Sequence, residues 1–280
     1  MFTPSFIGIG AQKCASTWIY DILKDHPQVR LSEQKELDFF SYRFEQGYLW
    51  YGRQFGQPDG AVTAGEVSPS YFHEPAVPER VRRYSPEAKI ILSLRDPVER
   101  ALSQHRHAVR TGGIADDDLS FESALSANPT YLEQGLYATH LTRWLDWFPK
   151  QQILVLFFED IVGEPDRVAR LLYQFLEIDS EHHPEHLNQR SNVSHVTPHT
   201  TLERARKALR MSAGSIGLGK AWEYAAKLGA RHLYHKLNRR PSEEVIPPVS
   251  PTTINELRTF FREEMVRLEK LTGRDLTNWR

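Results

Sequence analysis

The chain predicts an α/β fold, a three-layer sandwich in which a central parallel sheet of four to five strands carries a P-loop-like nucleotide site and C-terminal helices pack back on the domain. Three observations predict it. Short apolar runs alternate with helix-spaced segments. One run, residues 153–158, is apolar on both faces, as a strand covered by helices on both sides must be. The first run passes through small residues and a lysine straight into a helical pattern.

Phe6, Ile7 and Ile9 mark a buried strand over residues 6–10, followed by a helix over 17–23. Residues 61–66 are a further strand candidate, with Val62 and Ala64 alternating and Ser68-Pro69 closing it. The run Lys89-Ile90-Ile91-Leu92-Ser93-Leu94 is a central strand, and a helix over residues 97–109 opens on Pro97. Leu132, Leu136, Leu141, Trp144, Leu145 and Phe148 keep helical spacing and predict one continuous helix over residues 131–148. Ile153 to Phe158 is the third central strand, and Pro165 starts a helix ending near Leu176. Residues 201–240 carry ten Lys or Arg against two Glu and read as a basic, Gly-interrupted helical segment. Leu257, Phe261, Met265 and Leu268 define a C-terminal packing helix over about 251–272, with Gly273 as its C-cap.

With 280 residues, 40% hydrophobic and 25% charged, the chain predicts one domain spanning residues 1–280. Its net charge of −1 argues against a general nucleic-acid binder, so any affinity for anions must come from local Lys and Arg. Cys14 is the single cysteine, which excludes an internal disulfide framework and multi-thiolate zinc sites and fits a reducing, cytoplasmic setting. The N-terminus has no basic n-region, and no run reaches the roughly 18–20 apolar residues of a membrane span. The expectation is a soluble protein.

Two constellations carry chemistry. In Gly8-Ile9-Gly10-Ala11-Gln12-Lys13-Cys14-Ala15-Ser16-Thr17-Trp18, small residues let backbone amides converge, Lys13 adds a point charge, and Ser16 and Thr17 add hydroxyls at a helix start. This is not the nucleoside-triphosphatase pattern. Gln12 stands where the glycine before the lysine belongs, and Cys14 where the magnesium-binding hydroxyl belongs. The second constellation is Leu94-Arg95-Asp96-Pro97 through Ser103. An arginine at the carboxyl end of a buried strand sits where open α/β sheets bind ligands, and Ser103 lies about two turns into the next helix. An Arg95 paired with Asp96 or Glu99 in a surface network is the competing reading. Two phosphate receptors imply one ligand with phosphates at two ends.

Here the chain resembles the sulfotransferases that use 3′-phosphoadenosine 5′-phosphosulfate (PAPS), particularly the heparan-sulfate branch and its bacterial relatives. The resemblance rests on Gln12 to Thr17, Lys35-Glu36-Leu37-Asp38-Phe39-Phe40, Glu66-Val67-Ser68-Pro69-Ser70-Tyr71-Phe72, Arg95 to Ser103, Gly135-Leu136-Tyr137, Phe157-Phe158-Glu159-Asp160 and the C-terminal Thr272-Gly273-Arg274-Asp275. It implies PAPS as donor, adenosine 3′,5′-bisphosphate (PAP) as product, no obligatory metal, and a carbohydrate or other small acceptor sulfated on a hydroxyl or an amine. The 5′-phosphosulfate falls to Gln12, Lys13, Cys14, Ala15, Ser16, Thr17 and Trp18. The 3′-phosphate falls to Arg95 and Ser103.

The resemblance places Lys13 at the bridging oxygen and makes Glu36 the general base, against the plain reading of a surface carboxylate paired with Lys35. His107, one helical turn after Ser103, is the rival base. Arg190 and Asn192, in a late loop, are the candidates to cover the nucleotide's 3′ side. Two departures bear on the acceptor. Val67 replaces a usual lysine, and Asp38 stands where a histidine is common, which together favour a neutral or cationic acceptor over a heparan-like polyanion. The basic segment suits an anionic membrane surface or an acceptor cleft, with solvated helices packed on the core as the other reading. A nucleotide kinase and an inactive nucleotide-binding module are the competing functions.

Overall fold

The computed structural model describes residues 2–56, 63–114, 118–185, 187, 195–196, 240–241 and 245–280. The chain divides into two compact units, residues 1–101, 130–191 and 254–280 forming the first, and 102–129 and 192–253 the second.

The first unit is built on five parallel strands: β1 (Phe6–Gly10), β2 (Val29–Leu31), β3 (Thr63–Val67), β4 (Lys89–Leu94) and β5 (Ile153–Phe157), in the order β2-β3-β1-β4-β5. β1 lies centrally, with Ile7 opposite Glu66 on β3 and Ile90 on β4. Every residue of β1 and β3 is buried. Helices α1 (Ser16–Asp25) and α10 (Pro165–Leu176) cover one face, where Phe6, Val67, Ile91 and Leu156 join Trp18, Ile22, Leu172 and Leu176 in one apolar cluster. Ile7, Ile90 and Leu92 point to the opposite face by strand alternation and are also fully buried, so both faces are covered. The predicted sheet is present at its upper size. Its fifth member, β2, is only three residues long and has no apolar run to announce it.

Short helices α2 (Phe39–Tyr42) and α3 (Gly47–Arg53) follow β2, and α4 (Val77–Tyr84) follows β3. Helix α5 (Pro97–Thr111) begins in the first unit and ends in the second. It is capped by Asp96, whose Oδ1 accepts from the backbone N–H of Val98 at 2.8 Å and of Glu99 at 3.3 Å. In the second unit α6 (Phe121–Ala127) starts on a Ser120 cap, and His195–Val196 pairs antiparallel with Arg240–Pro241.

The continuous helix expected over residues 131–148 is a misreading. The chain forms α7 (Thr130–Glu133), breaks at Gly135-Leu136, and resumes as α8 (Tyr137–Leu145). A Cβ at Gly135 would lie 2.6 Å from the Phe261 ring, so the C-terminal helix α11 (Pro251–Thr272) occupies the space a side chain would need. Helix α9 (Phe158–Gly163) follows β5 directly, α10 matches its predicted span, and Gly273 ends α11 in a left-handed conformation (φ 76°) as expected. No helix among the described residues is long and apolar enough to cross a membrane.

Candidate active site

The loop between β1 and α1 is held by its own backbone. Gly10 adopts φ 132°, and a Cβ there would sit 2.7 Å from the Pro69 carbonyl oxygen. Lys13 and Ala15 take left-handed φ values of 67° and 71°, rare for residues with a side chain. The Ala11 amide donates to Ser93 O at 2.7 Å, tying the loop to the end of β4. No side chain caps the first turn of α1, so the loop presents a helix N-terminus beside a lysine, an arrangement suited to a phosphate.

Within the loop the residues divide. Cys14 is fully buried, its sulfur 3.7 Å from the Tyr137 hydroxyl, and burial pushes the thiol up to about 11. It is therefore a neutral packing residue. Its electrostatic neighbours are Arg100, Arg95 and Glu159, so the arginines of the second constellation are felt at the loop. The break before α8 aims Tyr137 at Cys14. Ser16 is buried at the start of α1, while Gln12 and Lys13 are partly exposed. Trp18, assigned above to the nucleotide, is a buried core residue whose indole N–H is already donated to Leu187 O at 3.0 Å.

Thr17 provides the link to the second segment. The Lys35 ammonium donates to Thr17 Oγ1 at 2.9 Å and to Glu36 Oε1 at 2.8 Å. The pairing of Glu36 with Lys35 is thus real, and the same lysine holds the carboxylate beside the loop. Leu37, Phe39 and Phe40 are fully buried while the Glu36 side chain is 47% exposed, so the segment is anchored by its apolar residues and turns its carboxylate outward. Glu36 and Asp38 both adopt left-handed φ, 60° and 51°. The Asp38 carboxylate accepts from Ser70 Oγ at 2.6 Å, and burial raises its pKa. Asp38 fastens the segment to the turn after β3. Val67 packs in the cluster beneath α1, where a Cβ on Gly8 would meet it at 2.9 Å.

Arg95 follows β4 and its guanidinium donates to Glu99 Oε2 at 3.0 Å while lying 4.5 Å over the Phe158 ring. The carboxylate pairing and the strand-end position coexist. Arg100 is fully buried and donates to the Tyr131 carbonyl at 2.5 Å and to Gln134 Oε1 at 3.3 Å. Ser103, His105 and His107 lie on α5 within the second unit. His105 is buried with its ring nitrogen 2.9 Å from Leu119 O. Arg110 donates to His107 Nδ1 at 2.8 Å. An arginine has only donors, so Nδ1 is the acceptor and the ring hydrogen resides on Nε2. Arg190 and Asn192, and most of the basic segment, lie outside the described residues.

Sequence reasoning included Lys35, Glu66 and Arg100 in the matching segments but assigned none of them a role in the site. Lys35 was visible only as a neighbour of Glu36. Glu66 stands in a strand that reads as alternating, yet its carboxylate is fully buried and pushed up to about 7 by that burial.

The model of the sulfotransferase domain family matches residues 3–215. Among curated relatives, the human bifunctional heparan sulfate N-deacetylase/N-sulfotransferase 3 is 32% identical over 192 residues, covering 62% of this chain and 22% of that protein. Human heparan sulfate glucosamine 3-O-sulfotransferase 6 is 33% identical over 179 residues, covering 62% of this chain and 52% of that protein. The mouse 3-O-sulfotransferase 3A1 is 27% identical across 97% of this chain and 63% of its own length. The chain thus spans about a fifth to under two thirds of the length of these relatives. A solved sulfotransferase from Alicyclobacillus acidocaldarius superposes with a TM-score of 0.73 at 24% identity, covering all of both chains, which shows the fold. On the match across three quarters of its residues, this chain belongs to the sulfotransferase family.

Proposed function

We propose that the chain transfers a sulfuryl group from PAPS to a hydroxyl or amine of a carbohydrate or other small acceptor. The observation that supports this reading is the Lys35 bridge: one ammonium touches both Thr17 and Glu36, so a carboxylate stands beside the loop read as the phosphosulfate receptor.

The reaction is an in-line displacement. The acceptor oxygen or nitrogen bonds to sulfur as the bond from sulfur to the bridging oxygen breaks, and PAP leaves with that electron pair. Negative charge grows on the bridging oxygen, so a cation there stabilises the transition state more than the ground state. Lys13 is assigned that role. Glu36 takes the proton that the acceptor loses, a contribution of about 10²–10⁴-fold. The 3′-phosphate is assigned to Arg95, whose fork matches a phosphate bidentately once it leaves Glu99. Ser103 is a further candidate for that phosphate by resemblance. Between the two candidate bases the geometry supports Glu36, because His107 has an arginine donor on Nδ1 and its hydrogen on Nε2. The relatives named for heparan sulfate support a carbohydrate acceptor. A neutral or aminated sugar is preferred to a polyanion, since Asp38 adds a second carboxylate near Glu36.

The test is transfer of labelled sulfate from PAPS to a panel of amino sugars, phenols and desulfated heparan oligosaccharides, run with and without magnesium, beside a parallel assay with γ-labelled ATP. We expect magnesium-independent sulfation, abolished in Lys13→Ala and reduced at least about a hundredfold in Glu36→Gln with PAP still bound. Phosphorylation of the panel without sulfation would refute the reading, and full activity in Glu36→Gln would move the base to His107.

A further inference from the structure

We infer that Glu66 is a positioning residue for the Glu36 segment, acting through the Ser68 and Tyr71 hydroxyls. The inference rests on the reading of Glu36 as the base.

Ser68 and Tyr71 each bond one oxygen of the buried Glu66 carboxylate, with the Tyr51 hydroxyl a third group facing it. Ser68 Oγ donates to Oε2 at 2.6 Å, and the Tyr71 hydroxyl donates to Oε1 at 2.9 Å. A hydroxyl owns a single hydrogen, so once it is given to Glu66 the oxygen can only accept. Both oxygens do accept, and from the same segment. The Asp38 backbone N–H donates to Ser68 Oγ at 3.1 Å, and the Phe40 backbone N–H donates to the Tyr71 hydroxyl at 3.2 Å. One carboxylate thereby sets the polarity of two parallel hydrogen-bond arms that end on amides two and four residues beyond Glu36.

The segment needs such a hold. Glu36 and Asp38 sit in left-handed backbone conformations that side-chain-bearing residues leave readily unless their surroundings fix them. The other end of the bracket is rigid. Glu66 is in register with Ile7 on β1, the Ser68 N–H bonds to Gly8 O at 2.8 Å, and the Phe72 N–H bonds to Ile9 O at 2.9 Å. The strand that delivers the Lys13 loop is therefore the strand on which the Glu36 segment is braced. Cation and base share one reference frame, at a position where a displacement of about 1 Å costs about a hundredfold in rate.

Glu66→Gln keeps the shape and removes the symmetry: its amide nitrogen only donates, so one hydroxyl must accept from it and give up the acceptor of its own hydrogen, which weakens that arm. Amide hydrogen exchange on the full chain with PAP bound, together with transfer kinetics on the acceptor panel, tests this. We expect the amide whose arm is weakened, that of Asp38 or of Phe40, to exchange about tenfold faster, the upper value of one neutral hydrogen bond. Exchange in β1 and β4, the PAP affinity and KM for PAPS should be unchanged, while kcat falls about tenfold or more. Tyr71→Phe, which removes a single arm, should free the Phe40 amide and spare that of Asp38. Unchanged exchange at both amides would overturn the bracket. Accelerated exchange spreading through β1 and β4, or kcat at the wild-type value despite freed amides, would make Glu66 a strut and not a positioning residue. Wild-type kcat in Glu36→Gln would instead sink the assignment of the base, and the exchange result would stand apart from it.

Discussion

Replacing Glu66 by Gln should change how stability depends on pH, and the direction is fixed by the burial of the carboxyl. Burial raises Glu66 from 4.5 to about 7, against the lowering effect of the hydroxyls around it. The folded state therefore binds this proton more tightly than the unfolded chain does. A raised carboxyl of this kind leaves stability highest below about pH 4.5; the contribution falls as pH rises and levels off above about 7. At about 1.4 kcal/mol per unit, the full change is about 3 kcal/mol, of which about 2–3 kcal/mol falls between pH 5 and pH 8. The groups facing Glu66 are Ser68, Tyr51, Tyr71 and Asp38. Tyr51 and Tyr71 are pushed well above the usual phenol range by burial, so they stay neutral throughout the window, and Asp38 titrates in both proteins. Urea unfolding of wild type and Glu66→Gln in matched buffers isolates the term as the difference between two curves. Activity should move the opposite way. Protonated Glu66 must donate its own hydrogen to one hydroxyl, which weakens the bracket, so wild-type kcat should fall below about pH 7 as the fold becomes more stable. Parallel stability curves for the two proteins would refute the reasoning.

Three further outcomes follow from the site. Arg95→Ala should weaken PAP binding about tenfold to a hundredfold while leaving adenosine 5′-phosphate nearly unaffected, as calorimetry would show; equal losses would mean that Arg95 does not read the 3′-phosphate. Cys14, fully buried and with its thiol pushed up to about 11, should resist iodoacetamide at neutral pH in the folded protein and react only on unfolding. Gly10→Ala should lower stability by about 1–3 kcal/mol and weaken PAP binding, because its Cβ meets the Pro69 carbonyl at 2.7 Å on a backbone at φ 132°; an unchanged Tm would show that the loop relaxes freely.

The parts of this fold that follow from local pattern were legible. Strands β1, β4 and β5 are apolar runs, α10 opens on a proline, and α11 ends on a glycine, each signal lying within its own element. The parts that depend on distant residues were not. Gly135 is a weak local signal for the break before α8, and the Phe261 ring that excludes a side chain there lies more than a hundred residues later. β2 is a three-residue edge strand with no periodicity to read. The Glu36 segment shows the same division at the site. Its charge pattern offered a surface pair with Lys35, and the family resemblance offered a base, as alternatives. Lys35 in fact reaches Thr17 as well, a contact across eighteen residues that no spacing rule encodes.

Position 14 shows how a shared loop architecture is turned to different chemistry. In the nucleoside-triphosphatase loop the residue after the lysine is a hydroxyl that reaches a magnesium ion bound to the phosphates. Here that residue is a cysteine whose sulfur points into the core, with the Tyr137 hydroxyl and the Gln12 carbonyl as neighbours. Burial holds it as a neutral thiol, a poor partner for a hard cation. On the proposed reading, positive charge near the reacting group comes from side chains, Lys13 in the loop and Lys35 beside Thr17. On that reading, fixed cations would stabilise the charge that develops as a single phosphate oxygen departs from sulfur. The cysteine and the two lysines therefore belong to one arrangement.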